Sequence, residues 1–284
     1  MYNLILENKS GDQLTFNQNS PFTVTDIEGL NPPDATINTS AIALMDGAKY
    51  NSAKVDMRTI NIAFAIEYQA ARNRVEVYRV LKSKQYIKLY YKGDYRNVFI
   101  EGYIQSISID YGAMKQIVTC TILCPSPYFK QAQEMVDELL NIVGAFHFPF
   151  ASTSTPEILF GYISNEIGIT IENDGDVDCG MVIELYAYTA VSNPKIFNYL
   201  TQEYIGLDFD MQAADLIRID TRQGEKDAVL IRSGVESSVF NYIMEGSTWL
   251  QLPAEGGTFV YELGSGDLGD LAVTFRHYDL YEGV

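Results

Sequence analysis

Val118-Thr-Cys-Thr-Ile-Leu-Cys-Pro-Ser-Pro-Tyr-Phe129 decides how the chain is divided. Val118, Cys120 and Ile122 alternate with Thr119, Thr121 and Leu123, the period of two that a half-buried strand requires. Pro125 and Pro127 then stop the strand, because proline donates no ladder hydrogen bond. The charge of the chain breaks at the same place. Residues 1–130 hold 14 Lys and Arg against 12 Asp and Glu, a formal charge of +2. Residues 131–284 hold 6 against 25, a charge of −19, and the two parts make the −17 of the whole. Net charge speaks to solubility and partners rather than topology, so the break predicts two modules in different surroundings. A length of 284 residues fits two domains.

Composition narrows the class. With 47% hydrophobic and 12% aromatic residues, both modules can bury a core. Twenty Tyr against one Trp and two His suit half-buried strands and wet interfaces, since a Tyr ring packs while its hydroxyl stays hydrated. No apolar run approaches the roughly 20 residues of a membrane span, and Met1-Tyr-Asn-Leu-Ile-Leu-Glu lacks the basic and apolar regions of a secretory signal. Three Cys make no disulfide framework and agree with a reducing site of synthesis. The expectation is a soluble protein made in a cytoplasm, without membrane insertion. The acidity of the second module argues against a nucleic-acid surface there, because phosphate contacts need Lys and Arg.

Outward from the dividing segment, the first module reads as β with one helix. Alternation runs through Leu14 and Phe16, through Ile60, Ile62, Phe64, Ile66 and Tyr68, through Ile87, Leu89 and Tyr91, and through Val98 and Ile100. Residues 69–84 place Ala71, Val75, Tyr78 and Leu81 at helical spacing, with Arg72, Arg74, Arg79, Lys82 and Lys84 on the other face; this predicts an amphipathic helix on a sheet, its bases either solvated or set against an acidic neighbour. Residues 29–54, from Gly29-Leu-Asn-Pro-Pro33 to Lys54, show no sustained periodicity and read as a long ordered loop that reaches a partner. Residues 131–143 read as a short helix and residues 146–156 as a Ser/Thr/Pro-rich connection, so that 131–156 is a helical linker. The second module alternates at Ile167, Ile169 and Ile171; at Met181, Ile183 and Leu185; at Ile205, Leu207, Phe209 and Met211; and at Ile217 and Ile219. It continues at Val229 and Ile231, Leu250 and Leu252, Phe259, Tyr261 and Leu263, and Leu271, Val273 and Phe275, with a hairpin expected at Gln223-Gly-Glu. That spacing predicts an antiparallel sandwich or jelly roll.

Catalytic chemistry finds no footing. Cys120 and Cys124 share one strand face without His partners at zinc spacing, so both, like Cys179, read as core. His147 sits in the aromatic linker, and His277 shares the parity of Leu271, Val273 and Phe275; two histidines outside any motif make no Ser/His/Asp constellation. Carboxylates are plentiful, but no spacing singles out a glycosidase pair. Asn173-Asp-Gly-Asp-Val-Asp178 has the oxygen-rich look of a calcium loop but departs from the EF-hand order, and a tight turn is the better reading. Gly264-Ser-Gly-Asp-Leu-Gly-Asp270 reads as a flexible loop. No catalytic, cofactor or metal residue is assigned.

Several segments together resemble the distal tail protein (Dit) family of bacteriophages, including prophage and phage-tail-like equivalents. They are Gly29-Leu-Asn-Pro-Pro33 with its small-residue loop, Asp56-Met-Arg-Thr-Ile-Asn-Ile62, and the 118–129 segment. In the second module they are Ile171-Glu-Asn-Asp-Gly-Asp176, Asn193-Pro-Lys-Ile-Phe-Asn198, Ile217-Arg-Ile-Asp-Thr-Arg222 and Trp249-Leu-Gln-Leu-Pro253. The likeness spans nearly the whole chain, although Pro253-Ala-Glu-Gly-Gly257 departs from the family's usual Pro-Gly turn. It implies a mainly β protein: a tail-tube-like sandwich or barrel with one amphipathic helix over residues 1–130, the linker 131–156, and a galectin-like antiparallel sandwich over 157–284, whose last residues (278–284) return to the first domain. It also implies a non-enzymatic hub at the virion tail tip, a homohexameric ring joining the tail tube protein to the tail-associated lysin or tail-fibre hub and to receptor-binding proteins. On this reading residues 31–54 lie at a ring interface or against the adjoining tail protein, and the acidic module docks a partner or a divalent cation. The alternatives are a carbohydrate-binding sandwich contacting host cell-wall glycan, or another tail-tube or baseplate component.

Overall fold

Leu4, Leu6, Leu14 and Phe16 open the first core, each buried on a strand whose alternate residues face out. In the computed structural model, which describes residues 3–43, 46–111, 115–139, 142–144, 161–163 and 168–284, these strands are β1 (Asn3–Asn8) and β2 (Gln13–Phe16). There follow β3 (Phe22–Glu28), β4 (Ala35–Ala41), β5 (Ala48–Val55), β6 (Arg58–Ile66), helix α1 (Ala70–Val80), β7 (Tyr86–Lys92), β8 (Asn97–Ile109), β9 (Gln116–Cys124) and β10 (Phe129–Gln131). They pair antiparallel in the order β2-β1-β7-β8-β9-β6-β3, and β10 adds to β8. The 118–122 alternation fixes the register: β9 lies against β6 from Arg58↔Cys124 to Ile66↔Gln116, which sets Val118, Cys120 and Ile122 beside Phe64, Ile62 and Ile60 on the buried face. Phe16 and Phe22 meet Phe64 edge-on at 4.9 and 5.8 Å. Burying each such side chain contributes about 1.5–3 kcal/mol.

Residues 1–132 together with 280–284 make one compact unit, and residues 133–279 make the other. In the second unit β11 (Met135–Leu139), β12 (Ile142–Gly144), β13 (Gly161–Ile163), β14 (Gly168–Ile171), β15 (Cys179–Ala187), β16 (Val191–Ser192), β17 (Lys195–Asn198), β18 (Tyr204–Gly206) and β19 (Asp210–Met211) lead to β20 (Leu216–Asp220). Then come β21 (Asp227–Arg232), β22 (Val235–Ser238), β23 (Gln251–Leu252), β24 (Gly257–Glu262) and β25 (Leu271–His277). Two antiparallel sheets, β11-β25-β15-β20-β21-β22 and β14-β24-β17-β18, dominate. Phe259 of the second packs on Phe275 of the first at 5.4 Å, the contact expected between the inner faces of a sandwich. The fold is mainly β with one α-helix among the described residues.

Four readings of the sequence need correction. Residues 131–139 and 142–143 are not helical. Met135–Leu139 pairs with the edge of β25, from Met135↔His277 to Leu139↔Val273, and these ladder bonds override a pattern that fits either period. Residues 29–54 are not a loop throughout: β4 and β5 form a hairpin. Hydrophobic periodicity could not reveal it, because neither face is buried. Helix α1 is shorter than 69–84 and rolled the other way, burying Asn73, Val77 and Val80. Asn73 is tolerated inside because its Nδ2 donates to the Tyr68 carbonyl at 2.6 Å. After Leu81, the chain is drawn into the sheet by Lys84 N–H on Ile104 O and Ile104 N–H on Gln85 O. On β21, Ala228 and Leu230 are buried rather than Val229 and Ile231, since they pair with the buried Ile219 and Ile217 of β20 and cross-strand partners share a face. His147, the connection 146–156 and Ile167 lie outside the described residues.

All three cysteines are buried and free, and burial pushes each thiol up to about 12. At pH 8 none should react with a thiol reagent in the native state, and all three should react at once in denaturant. Fast labelling of even one native thiol would contradict the packing.

Candidate assembly site

Arg58 stands on the buried parity of β6, in line with Ile60, Ile62 and Phe64, and is 4% exposed. Its Nε donates to Pro127 O at 2.6 Å, Nη1 to Gly29 O at 2.6 Å and Asn31 O at 2.7 Å, and Nη2 to Glu282 O at 2.5 Å. All four acceptors are main-chain carbonyls. The guanidinium also lies 4.7 Å from the Phe129 ring centroid, a favourable cation–π distance. Burial pulls its pKa down, opposed by Cys124 and Glu282, yet an arginine stays protonated. One side chain thus ties the turn before the hairpin, the proline segment after β9 and the C-terminus.

The C-terminal residues add their own fastenings. Leu280–Tyr281 pairs with β10, Phe129↔Tyr281 and Lys130↔Leu280. Arg96 lies 4.5 Å over the Tyr281 ring and donates to Gly283 O at 2.5 Å. Val284 N–H reaches Leu30 O at 3.2 Å. Glycine is required at one of these points and fits closely at another. Gly29 has φ +89° and a Cβ there would lie 2.3 Å from Thr59 O, while one at Gly283 would lie 3.0 Å from Pro32 Cδ.

From this clamped base the β4–β5 hairpin projects with two unlike faces. Register puts Ala35, Ile37, Thr39 and Ala41 with Val55, Ala53, Tyr50 and Ala48 on one side, and Thr36, Asn38 and Ser40 with Lys54, Ser52 and Lys49 on the other. The first side is apolar, yet Ile37 and Tyr50 are each 61% exposed. The second carries Asn38–Ser52 and Asn51–Ser40 hydrogen bonds. A two-stranded hairpin alone is marginal in water.

The remaining surface of the first unit is sorted by charge. Strands β3, β6, β8 and β9 contain no Lys and only one Arg, the buried Arg58; their outward residues include Thr59, Asn61, Ala63, Thr119, Thr121, Ser106 and Ser108. Helix α1, by contrast, carries Arg72, Arg74 and Arg79.

In the second unit the motifs met in the sequence serve the fold. Asn173 accepts the Gly175 N–H at 2.9 Å and donates to Pro253 O at 3.0 Å, and Asp178 accepts the Ala254 N–H at 2.9 Å, which makes residues 173–178 a turn. Residues 264–270 are pinned by Gly264 N–H on Ser192 O and by Ser192 Oγ against Ser265 Oγ at 2.7 Å. Among the described residues no group of three or more His, Cys, Asp or Glu is placed to hold a metal ion. Asp215 is buried against Arg232, Oδ2 to Nη2 at 2.5 Å, and that hydrogen bond holds its carboxyl below the ordinary value. His277, buried at the end of β25, lies 3.4 Å from Asp279 Oδ1 and 3.8 Å from Asp137 Oδ2. Burial raises the Asp279 carboxyl, the imidazole opposes the rise, and Asp174 adds to it.

These two aspartates titrate in opposite senses. A raised carboxyl contributes stability that is complete below its ordinary value of 3.8 and lost as pH rises through its folded value. A lowered one contributes stability present above 3.8 and lost as pH falls through its folded value. The second unit should therefore melt higher at pH 5 than at pH 8, helped by relief of its carboxylate repulsion, and lose stability below pH 3.8. Asp279→Asn should flatten the rise toward pH 5. Thermal melts across that range check it, and a second unit more stable at pH 8 than at pH 5 would contradict it.

Sequence reading missed the Arg58 clamp. Its signal was there: one cation on the apolar parity of a strand, with a proline-rich segment and a Gly-turn as separate neighbours.

Comparisons with known proteins agree with this geometry. Residues 9–124 match the phage tail protein RIFT-related domain. No curated protein sequence matches the chain. The structure is similar to that of the Dit protein (gp 19.1) of phage SPP1, described as a paradigm of the hub adsorption apparatus in phages infecting Gram-positive bacteria. The TM-score is 0.68 at 11% identity, covering 96% of this chain and 98% of that one. It is also similar to a chain of the phage P2 baseplate in its activated conformation with Ca, with TM-score 0.54 at 10% identity over 97% of this chain and 98% of that one. Residues 9–124 therefore match the phage tail protein RIFT-related domain, and over nearly its full length the chain has the fold of the SPP1 Dit protein.

Proposed function

We propose that the chain forms a homohexameric ring that joins the tail tube to the fibre or receptor-binding apparatus. Residues 1–130 are the ring-forming, tail-tube-like domain, and residues 157–284 stand outward, where the acidic surface holds baseplate partners such as a tail-associated lysin or a receptor-binding protein. The carrying observation is the hairpin: an apolar face with Ile37 and Tyr50 61% exposed, on a base clamped by Arg58. Such a face is covered only when another chain packs on it. Strands β3, β6, β8 and β9, whose one cation is the buried Arg58, suit the wall of a channel, since DNA adheres through Lys and Arg. The SPP1 protein's description as a hub supports the same role, which is structural rather than catalytic. The sugar-binding alternative draws less support, because Trp249 is packed against Phe240 at 5.7 Å and lies under Lys226 at 5.7 Å.

The test is to mix the purified chain with its tail tube protein and view negatively stained particles. A six-fold ring capping the tube end is the expected image. Open-ended polymers of this chain would instead make it a tube component, and dispersed monomers would overturn the reading.

A further inference from the structure

Helix α1 leaves outside the stripe that a helix on its own sheet would hide. Val75 is 66% and Tyr78 42% exposed; Tyr111, which meets Tyr78, is 62% exposed, and Tyr68, just before the helix in the chain, is 54% exposed. Tyr78 and Tyr111 share a 2.6 Å hydroxyl contact, and the Arg74 guanidinium lies 5.3 Å from the Tyr111 ring, so the patch has a built aromatic centre. Arg72 and Arg79 share the helix with it, and Lys82 and Lys84 follow the helix in the chain. Arg72 and Arg74 reach the side-chain amides of Gln69 and Gln116 rather than carboxylates, and Arg79 meets Asp12 at 3.5 Å. The surface is apolar at its middle and basic at its rim, the anatomy of an interface rather than of a solvated face.

The complementary surface is in the same chain. Residues 133–279 hold 24 Asp and Glu (the 25 beyond residue 130 less Glu282) against 6 Lys and Arg. The four arginines are already engaged by carboxylates: Arg218 by Glu236, Arg222 by Asp220 and Glu225, Arg232 by Asp215, and Arg276 by Glu184. A large surplus of carboxylates remains.

We propose that the outward face of α1 docks the acidic second unit of another copy of the chain. This rests on the reading that copies assemble, and it names the contact they make. Opposite potentials set orientation and speed of encounter more than affinity, while Val75 and the tyrosines supply the buried centre. Replacing Arg72 and Arg79 with Glu should weaken association of copies at least tenfold at physiological salt, and the variant's own melting curve, which also registers loss of the Arg79–Asp12 pair, should show a chain that is still folded.

The direct test is zero-length carbodiimide coupling of lysines to carboxylates in an equal mixture of isotopically heavy and light full-length chains. Heavy–light peptides joining Lys82 or Lys84 to Asp or Glu of residues 133–279 are the expected result. An intact assembly in which these lysines couple between copies only to residues 1–132, or not at all, would overturn the proposal and leave the ring reading standing. Chains that stay monomeric would overturn both.

Discussion

Arg58→Ala should lower the melting temperature of the first unit by roughly 10–15 °C and free the C-terminus. The guanidinium is the shared donor for the carbonyls of Pro127, Gly29, Asn31 and Glu282. Each carbonyl stranded in a buried site costs about 1–3 kcal/mol; with partial rehydration the sum is about 3–5 kcal/mol. Lysine should recover less than half of the loss, because an ammonium on a flexible stem cannot present the planar fork that spans four acceptors. The freed tail supplies an independent readout: residues 280–284 should become open to carboxypeptidase in Arg58→Ala and not in the unmodified chain. An Arg58→Ala chain that melts unchanged, with a protected tail, would show that the β10 pairing and Arg96 suffice alone.

Paired Ile37→Lys and Tyr50→Lys substitutions should abolish assembly at micromolar concentration without lowering the melting temperature. Both side chains are largely exposed in the single chain, so folding has little to lose, and surface substitutions usually stay within about 0.5 kcal/mol. In an assembled ring the same positions would bury two ammonium groups in an apolar contact, a cost of several kcal/mol per ion. Sedimentation velocity separates the outcomes. Rings formed by the doubly substituted chain would place the hairpin's apolar face away from its neighbours.

Legibility followed burial. Strands β6, β7, β9, β15, β20 and β25 each bury one parity, and alternation alone disclosed them. The β4–β5 hairpin buries neither face, so its order comes from a ladder and from side-chain pairs such as Asn38–Ser52, which leave no hydrophobic period. Helix α1 carries two apolar stripes, and choosing Val77 and Val80 over Val75 and Tyr78 depends on Asn73 finding the Tyr68 carbonyl. The 131–143 segment fits either period until the edge of β25 is available to it. Arg58 was visible as the residue leading a strand, but its partners lie 27, 29, 69 and 224 positions away. The charge break at the 118–129 segment is legible from composition alone. It separates a near-neutral unit with a basic helix from an acidic one whose arginines are already held by their own carboxylates.

Native mass spectrometry of the unmodified chain tests the central claim most directly. At micromolar concentration and physiological ionic strength the expected dominant species holds six chains of 31.9 kDa, about 191 kDa. A spectrum of monomers alone, or an unbroken ladder of masses without a closed six-chain species, would contradict it.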